Sequence, residues 1–449
     1  MLLYLSGSYL DYVNVDSSVH IRKIGQQPIE FCHYVLSGMQ QIISQSVLIL
    51  FAIGGILIFK PAIFLLLILI LVPPIFIIAW LIKKKLNSVR VYGKKVSEKA
   101  LQHLQEALAA FIESNLYGRN NFFTERYHRF QQRFNDHLSE QQVIQNLPSR
   151  LIEVFAIFGL FILITINSYF SNESSVQIIT LGAFMAAAYK IIPGIVKILN
   201  SSGQIRTYSF TIKDLVKNLP NTKSLNEFIQ NEEKQCVDNI NSVEFKGVTF
   251  QYKELRILKA LSFSIYKGDM VGISGKSGSG KTTILNLLLG FLDATSGDIS
   301  INNLIGSQQK FWHRISYVKQ QSFFIHDSID RNITFSNSDI NKSRLAEISE
   351  ITGVDKLIKR YPAEQPVLIT ENGKNFSGGE RQRIQMARAL YKEFDLLILD
   401  EPFNELDEQS EIEMLLHLQG LAKAGKIIIL VTHNTAALAY CNKKIQLDD

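Results

Sequence analysis

Residues 275–282 read Gly275-Lys276-Ser277-Gly278-Ser279-Gly280-Lys281-Thr282 and have the spacing G-x-x-x-x-G-K-[ST] of a phosphate-binding loop. A short apolar stretch, Met270–Ile273, precedes it, and a helix-forming stretch, Thr283–Leu289, follows. Strand, glycine-rich turn and helix make an anion site together: glycines let the backbone approach the ligand, and free N–H groups and the positive helix end face it. Lys281 is expected to reach the β- and γ-phosphates of a nucleotide, and the Thr282 hydroxyl to ligate Mg²⁺. The expected nucleotide contacts are Gly275, Lys276, Ser277, Gly278, Ser279, Gly280, Lys281, Thr282 and Thr283.

The elements that must position this loop follow from Ser242 onward, where apolar strand-like runs alternate with helical stretches, the pattern of an α/β domain. Leu396–Leu399 is a fully apolar run, as a buried parallel strand requires, and Asp400-Glu401 ends it. Carboxylates at the C-terminal end of such a strand stand where ligands bind in open α/β sheets. A second run, Ile427–Val431, ends in Thr432-His433.

Residues 242–449 resemble the nucleotide-binding domain of the ATP-binding cassette (ABC) family. The most specific string is Phe376-Ser377-Gly378-Gly379-Glu380, similar to the family signature Leu-Ser-Gly-Gly-Gln. The resemblance implies that Ser377, Gly378 and Gly379 contact the γ-phosphate of an ATP held by the partner subunit. Tyr252 matches the aromatic residue that stacks on adenine. Gln320, in Tyr317-Val318-Lys319-Gln320, matches the glutamine that ligates Mg²⁺ and senses the membrane domain. Asp400 matches the Mg²⁺-holding aspartate, Glu401 the residue that orients or deprotonates the attacking water, and His433 the γ-phosphate switch. Asn404-Glu405-Leu406-Asp407 occupies the place of the D-loop, with Asn404-Glu405 replacing the commoner Ser-Ala and Asp407 counted among the nucleotide contacts. Glu380 in place of Gln is favourable in a helix's first turn, and its charge is expected to weaken ATP binding slightly. Asp327–Ile333 and Thr370–Gly373 resemble the exporter branch, in which Glu371 lies near the cytoplasmic loops of the membrane domain.

The 449 residues should hold more than one domain. The net charge is +6, yet Lys and Arg flank apolar runs rather than interleave with aromatics, which speaks for a membrane and against nucleic acid. Cys32, Cys236 and Cys441 are scattered, with no C-x-x-C, which argues against a disulfide framework or zinc site. The N-terminal Met1–Ser6 has no basic segment and is too short for a signal peptide. Apolar runs at about 42–59, 62–82, 151–170 and 176–199 each have the length of a membrane span. Lys83-Lys84-Lys85 ends the second on the cytoplasmic side, and Ser171–Ser175 carries no Lys or Arg. A polar helix to about Ser114, a turn at Leu116–Phe123 and a charged helix from Thr124 to about Gln145 join the second and third spans. The expected fold is therefore an α-helical transmembrane domain (1–214), a polar linker (215–241) and an α/β P-loop NTPase (242–449), with both chain ends cytoplasmic.

A membrane domain fused ahead of the cassette resembles half of a type IV exporter, lacking the first two of its six helices. The chain would open at the first coupling helix, Gly7–Val13, and Tyr117–Phe123 would be the second, docking on the partner's nucleotide domain. Residues 4–206 look most like flippases of lipid-linked oligosaccharides, on Asn14–Ser18, Leu147–Leu151 and Tyr189–Pro193. The resemblance implies a bacterial inner-membrane protein that works with a second copy of itself or a paralogous half on an amphiphilic substrate. A peptide or bacteriocin exporter and a drug exporter are the alternatives; a non-transporting ATPase of translation or repair is disfavoured by four spans. Lys190 lies well inside a span, either snorkelling to the inner interface or facing a cavity where it attracts an anionic head group. Lys197, two turns on, lies on the same face.

Overall fold

A computed structural model describes residues 9–59, 73, 95–170, 174–217, 239–336, 340–362, 366–370 and 373–447. The chain divides into two compact units, Met1–Glu227 and Phe228–Asp449.

The first unit is helical. Asp16 caps its first longer stretch by accepting from the Ser18 N–H at 2.9 Å. Helix then continues through Ser17–Ile21, two π-helical segments (Arg22–Gln26 and Phe31–Leu36) and α1 (Ser37–Phe59). Residues 95–109 are helical, the helix breaks at Ala110, and a further helix, Phe111–Leu116, covers the expected end near Ser114. The turn is tighter than the sequence suggests: it occupies Tyr117–Arg119, and Asn120 already opens α2 (Asn120–Phe170). The helix is not interrupted at Leu147–Leu151. One helix of 51 residues, roughly 75 Å long, joins the charged stretch to the apolar one. α3 (Ser174–Lys217) carries the fourth apolar run and Pro193.

Glycines let α1 and α3 approach closely: a Cβ at Gly38 would lie 3.1 Å from Ile205, and one at Gly194 3.0 Å from Ile49. Among the described residues one helical stretch, within Ser17–Gly55, is long and apolar enough to cross a membrane. The expected spans at 151–170 and 176–199 fall inside α2 and α3. Apart from Pro73, the 62–82 run lies outside the described residues, as do Lys83–Lys85 and residues 231–233 of the linker.

Among the described residues the second unit contains three sheets. β1 (Ser242–Tyr252), β2 (Leu255–Tyr266), β4 (Ser296–Ile301) and β5 (Leu304–Ile305) form an antiparallel sheet in the order β2-β1-β4-β5. The core sheet is parallel. It contains β3 (Met270–Gly275), β6 (Ile315–Val318), β9 (Leu396–Asp400), β10 (Ile427–Val431) and β11 (Lys443–Leu447), in the order β11-β3-β10-β9-β6. Every residue of β9 and β10 is buried, which is why both read as unbroken apolar runs. β7 (Asp327–Ser328) pairs with β8 (Leu368–Ile369) beside a helical layer. The helices that matter for the site are α4 (Lys281–Leu288), α5 (Ile329–Thr334), α6 (Lys342–Thr352), α7 (Val354–Ile358), α8 (Gly378–Tyr391) and α9 (Glu408–Lys423).

Candidate active site

The parallel sheet brings the chemistry together. β10 lies between β3 and β9, with Val431 paired to both Ile273 and Asp400; β6 flanks β9, with Val318 opposite Leu399. The loops leaving these four strands, which start at Lys276, Lys319, Glu401 and Thr432, therefore emerge along one edge.

The phosphate loop is shaped by its own backbone. Gly280 caps α4 at φ +94°, a left-handed conformation that a side chain disfavours. A Cβ there would also approach Ile257 to 2.9 Å. Lys281 folds back over the loop, donating to the Gly275 and Lys276 carbonyls at 2.7 and 2.9 Å. The buried Ser279 Oγ has no hydrogen-bond partner, so the loop holds a polar group that an oxyanion ligand can satisfy. Thr282 and Thr283 follow in the first turn of α4.

Beside the loop, Asp400 is buried, and its carboxyl is pushed up to about 6 by burial first and by the adjacent Glu401 charge second. A hydrogen bond from Tyr317 and the charges of Lys281 and Lys319 oppose that rise. An under-compensated buried carboxylate beside a phosphate loop suits a divalent cation, so Asp400 and Thr282 fit the Mg²⁺ role.

Glu401 has the left-handed backbone angle φ +50°, rare for a residue with a side chain, and its N–H donates to the Val431 carbonyl at 2.9 Å. Gln320 Nε2 and Asn404 Nδ2 both donate to its Oε2, at 2.8 and 2.9 Å. His433 Nδ1 lies 3.3 Å from Oε1. Three loops thus converge on one carboxylate. Tyr252, at the end of β1, is half-exposed and stacks edge-on against Phe250, with 4.8 Å between the ring centroids.

Residues 258–404 match the ABC transporter family, and residues 34–189 match the ABC transporter transmembrane region. The chain belongs to the ABC transporter family. The ABC ATP-binding match encloses the phosphate loop, Gln320, the signature and the acid pair. A probable ABC transporter ATP-binding/permease protein of Haemophilus influenzae is 31% identical over 57% of this chain and 48% of its own length. A putative export ATP-binding/permease protein of Rickettsia bellii is 37% identical over 47% of this chain and 37% of its own. An ATP-dependent lipid A-core flippase of Coxiella burnetii is 29% identical over 75% of this chain and 57% of its own. The chain spans about half the length of the curated relatives it matches, between 37% and 57% for these three. A solved bacterial Atm1-family ABC exporter with ATP bound superposes with a TM-score of 0.84 over 98% of this chain and 78% of that one. Its identity is 20%, so the likeness is one of fold.

The ABC signature opens α8 as the sequence suggests, with a full capping box: Ser377 Oγ accepts from the Glu380 N–H at 3.3 Å, and Glu380 Oε2 accepts from the Ser377 N–H at 2.8 Å. Glu380 also pairs with Arg360 at 2.7 Å. The Glu380 charge is therefore hydrogen-bonded at the helix end and paired with Arg360. Gly378 and Gly379 stand beside Glu405 of the D-loop. Asp407 caps α9, accepting from the Ser410 N–H at 2.9 Å, and pairs with Arg383 at 3.1 Å. Its carboxylate serves the fold of this chain first. Glu371 lies outside the described residues.

Several contributors escape sequence reasoning. Tyr317 and Asn404 support the two carboxylates. Gln385 of α8 donates to the Lys319 carbonyl at 2.6 Å and accepts from Ser322 at 2.9 Å, holding the Gln320 loop to the signature helix. Asn332, fully buried, binds the Ile325 N–H and carbonyl and so anchors α5. Only the Asn404 departure from the common D-loop string carried a local signal.

Proposed function

We propose that this chain is one half of an ATP-driven exporter that couples ATP hydrolysis to translocation of an amphiphile. The observation that carries the reading is the convergence of Gln320, Asn404 and His433 on the Glu401 carboxylate beside the phosphate loop, in a chain that also matches the ABC membrane region.

In this reading Tyr252 receives adenine, and residues 275–283 wrap the phosphates. Lys281 exchanges its two carbonyl partners for phosphate oxygens, and Ser279 gains the acceptor it lacks. Thr282, Gln320 and Asp400 would hold Mg²⁺, which supplies charge neutralisation on the phosphates. Glu401 holds the attacking water and takes its proton, while His433 stands at the γ-phosphate. Gln320 and Asn404 hold Glu401 in place, because an amide that donates fixes a carboxylate without protonating it.

The signature supports a two-copy arrangement. Ser377, Gly378 and Gly379 offer a capped helix N-terminus suited to an anion, which a second copy's ATP would supply head to tail. Tyr117 and Phe122, exposed around the turn before α2, are apolar enough to dock on a partner. The second unit has a groove of about 700 Å³ with Phe291, Trp312, Phe335, Arg344 and Tyr391 among its walls, which suits such a turn from a second copy. The membrane is a bacterial inner membrane and the nucleotide unit cytoplasmic.

For the substrate, the reading is a lipid-linked oligosaccharide or another glycolipid. Two relatives carry the name lipid A-core flippase, and Lys190 and Lys197 are both exposed on α3, offering positive charge to an anionic head group. The test is ATPase activity of the reconstituted protein with fractionated lipid extracts. Stimulation by an anionic glycolipid fraction is expected; stimulation only by hydrophobic peptides or by cationic drugs would replace this substrate class.

A further inference from the structure

Glu405 replaces a small residue common at its place in the D-loop, and its side chain lies against the first turn of α8. A Cβ at Gly378 would overlap the Glu405 carboxylate, and one at Gly379 would come within 2.7 Å of the Glu405 carbonyl oxygen. The loop is held there by its backbone: the Glu405 N–H donates to Gln382 Oε1 at 3.0 Å. The carboxylate itself is loosely held. Arg381 approaches Oε2 at 3.7 Å, beyond hydrogen-bond range, and the side chain is 52% exposed.

The position is chemically specific. The N–H groups of Gly378 and Gly379 precede the first intrahelical bond and point out of the helix at its positive end. Ser377 uses its oxygen on Glu380, and Glu380 is committed to Ser377 and Arg360. Of the two acids at this helix end, Glu380 is locked in the cap and Glu405 is free to leave.

We propose that Glu405 is a built-in competitor for the phosphate seat of the signature helix. Its carboxylate covers Gly378 when the seat is empty, and must swing away before the γ-phosphate of a second copy's ATP can settle there. The Glu405 carboxylate and a phosphate cannot occupy the same place over Gly378, so Glu405 raises the ATP concentration at which the two nucleotide units close. The device rests on the head-to-tail reading above.

The test uses the full chain carrying Glu401→Gln, so that closure is not followed by hydrolysis. Closure is read as the distance between spin labels on two copies during an ATP titration. ATP occupancy is read separately with a fluorescent analogue in a Ser377→Arg background, where closure is blocked. Glu405→Gln, which keeps the shape, and Glu405→Ala are both expected to lower the ATP midpoint for closure by about fivefold, the scale of a half-exposed charge interaction. The gain should shrink in about 0.5 M salt, where such interactions are screened. Occupancy should not change. An unchanged or higher midpoint in both variants, with closure intact, overturns the Glu405 proposal and leaves the two-copy reading standing. Normal occupancy with no closure in any variant overturns that reading and this inference with it.

Discussion

Gln320 and Glu401, 81 residues apart in the chain, meet through a hydrogen bond of 2.8 Å from the Gln320 amide to Oε2 of the carboxylate. Asn404 completes the same oxygen from the opposite side of the sequence at 2.9 Å. An oxygen held by two amides is fixed in direction, which is what a group that must aim a water needs. Glu401→Gln should therefore keep ATP binding and lose hydrolysis by about 10²–10⁴-fold, the usual scale of a general base. Asn404→Ala should lower kcat by about tenfold with little change in KM, since one hydrogen bond to a charged group is lost. Steady-state ATPase kinetics check both; near-normal turnover of Glu401→Gln removes it from the catalytic role.

Lys281 and Ser377 are expected to serve different composite sites. Lys281→Ala should abolish ATP binding on its own loop, and Ser377→Arg should block the site to which that subunit lends its signature. Neither homodimer should hydrolyse ATP. Mixed, they should regain one intact site per heterodimer, and activity should reach up to about a quarter of wild type if pairing is random and sites act independently. Folded heterodimers with no activity would count against the head-to-tail arrangement.

Asp400 should make the nucleotide-free protein pH-sensitive. Its carboxyl rises from the ordinary 3.8 to about 6 in the folded chain, so the folded state binds this proton more tightly than the unfolded state. Stability from this group is present at low pH and falls as pH rises from about 4 to about 6. Asp400→Asn should therefore raise stability above pH 6 by up to about 3 kcal/mol in metal-free buffer. The difference should vanish near pH 4. Thermal unfolding across that range decides it; a gain that persists unchanged at low pH would point to packing instead. The same variant should lose Mg²⁺-dependent hydrolysis.

Lys190 is exposed on α3, within the run expected to span the membrane. Lys190→Ala should lower substrate-stimulated ATPase while basal ATPase stays intact. An equal fall in both would indicate a packing role, and no fall in either would indicate that the ammonium only reaches the inner interface.

Much of this protein is legible locally. The loop at residues 275–282 is one strand, one turn and one helix, and its glycines and Lys281 act through neighbouring backbone atoms. Ser377 and Glu380 cap α8 across three residues. Apolar runs at β9 and β10 announce buried parallel strands because no alternation survives burial on both faces. Helix boundaries in the first unit were less legible: the 51-residue α2 joins a charged stretch to an apolar one, and composition changes there without the backbone changing.

Tertiary structure alone decided which side chains meet. The sheet order β11-β3-β10-β9-β6 is not the chain order, so the adjacency of the loops carrying Gln320, Glu401 and His433 follows from strand pairing that no local string encodes. The upward shift at Asp400 needs burial and the neighbouring charge of Glu401 in three dimensions. The seat of Glu405 over Gly378 joins residues 27 apart through the packing of a loop on a helix end. Local pattern specifies the elements and their caps, because those bonds close within a few residues. The cluster around Glu401 is assembled from contacts between loops distant in the chain, and those exist only once the parallel sheet has formed.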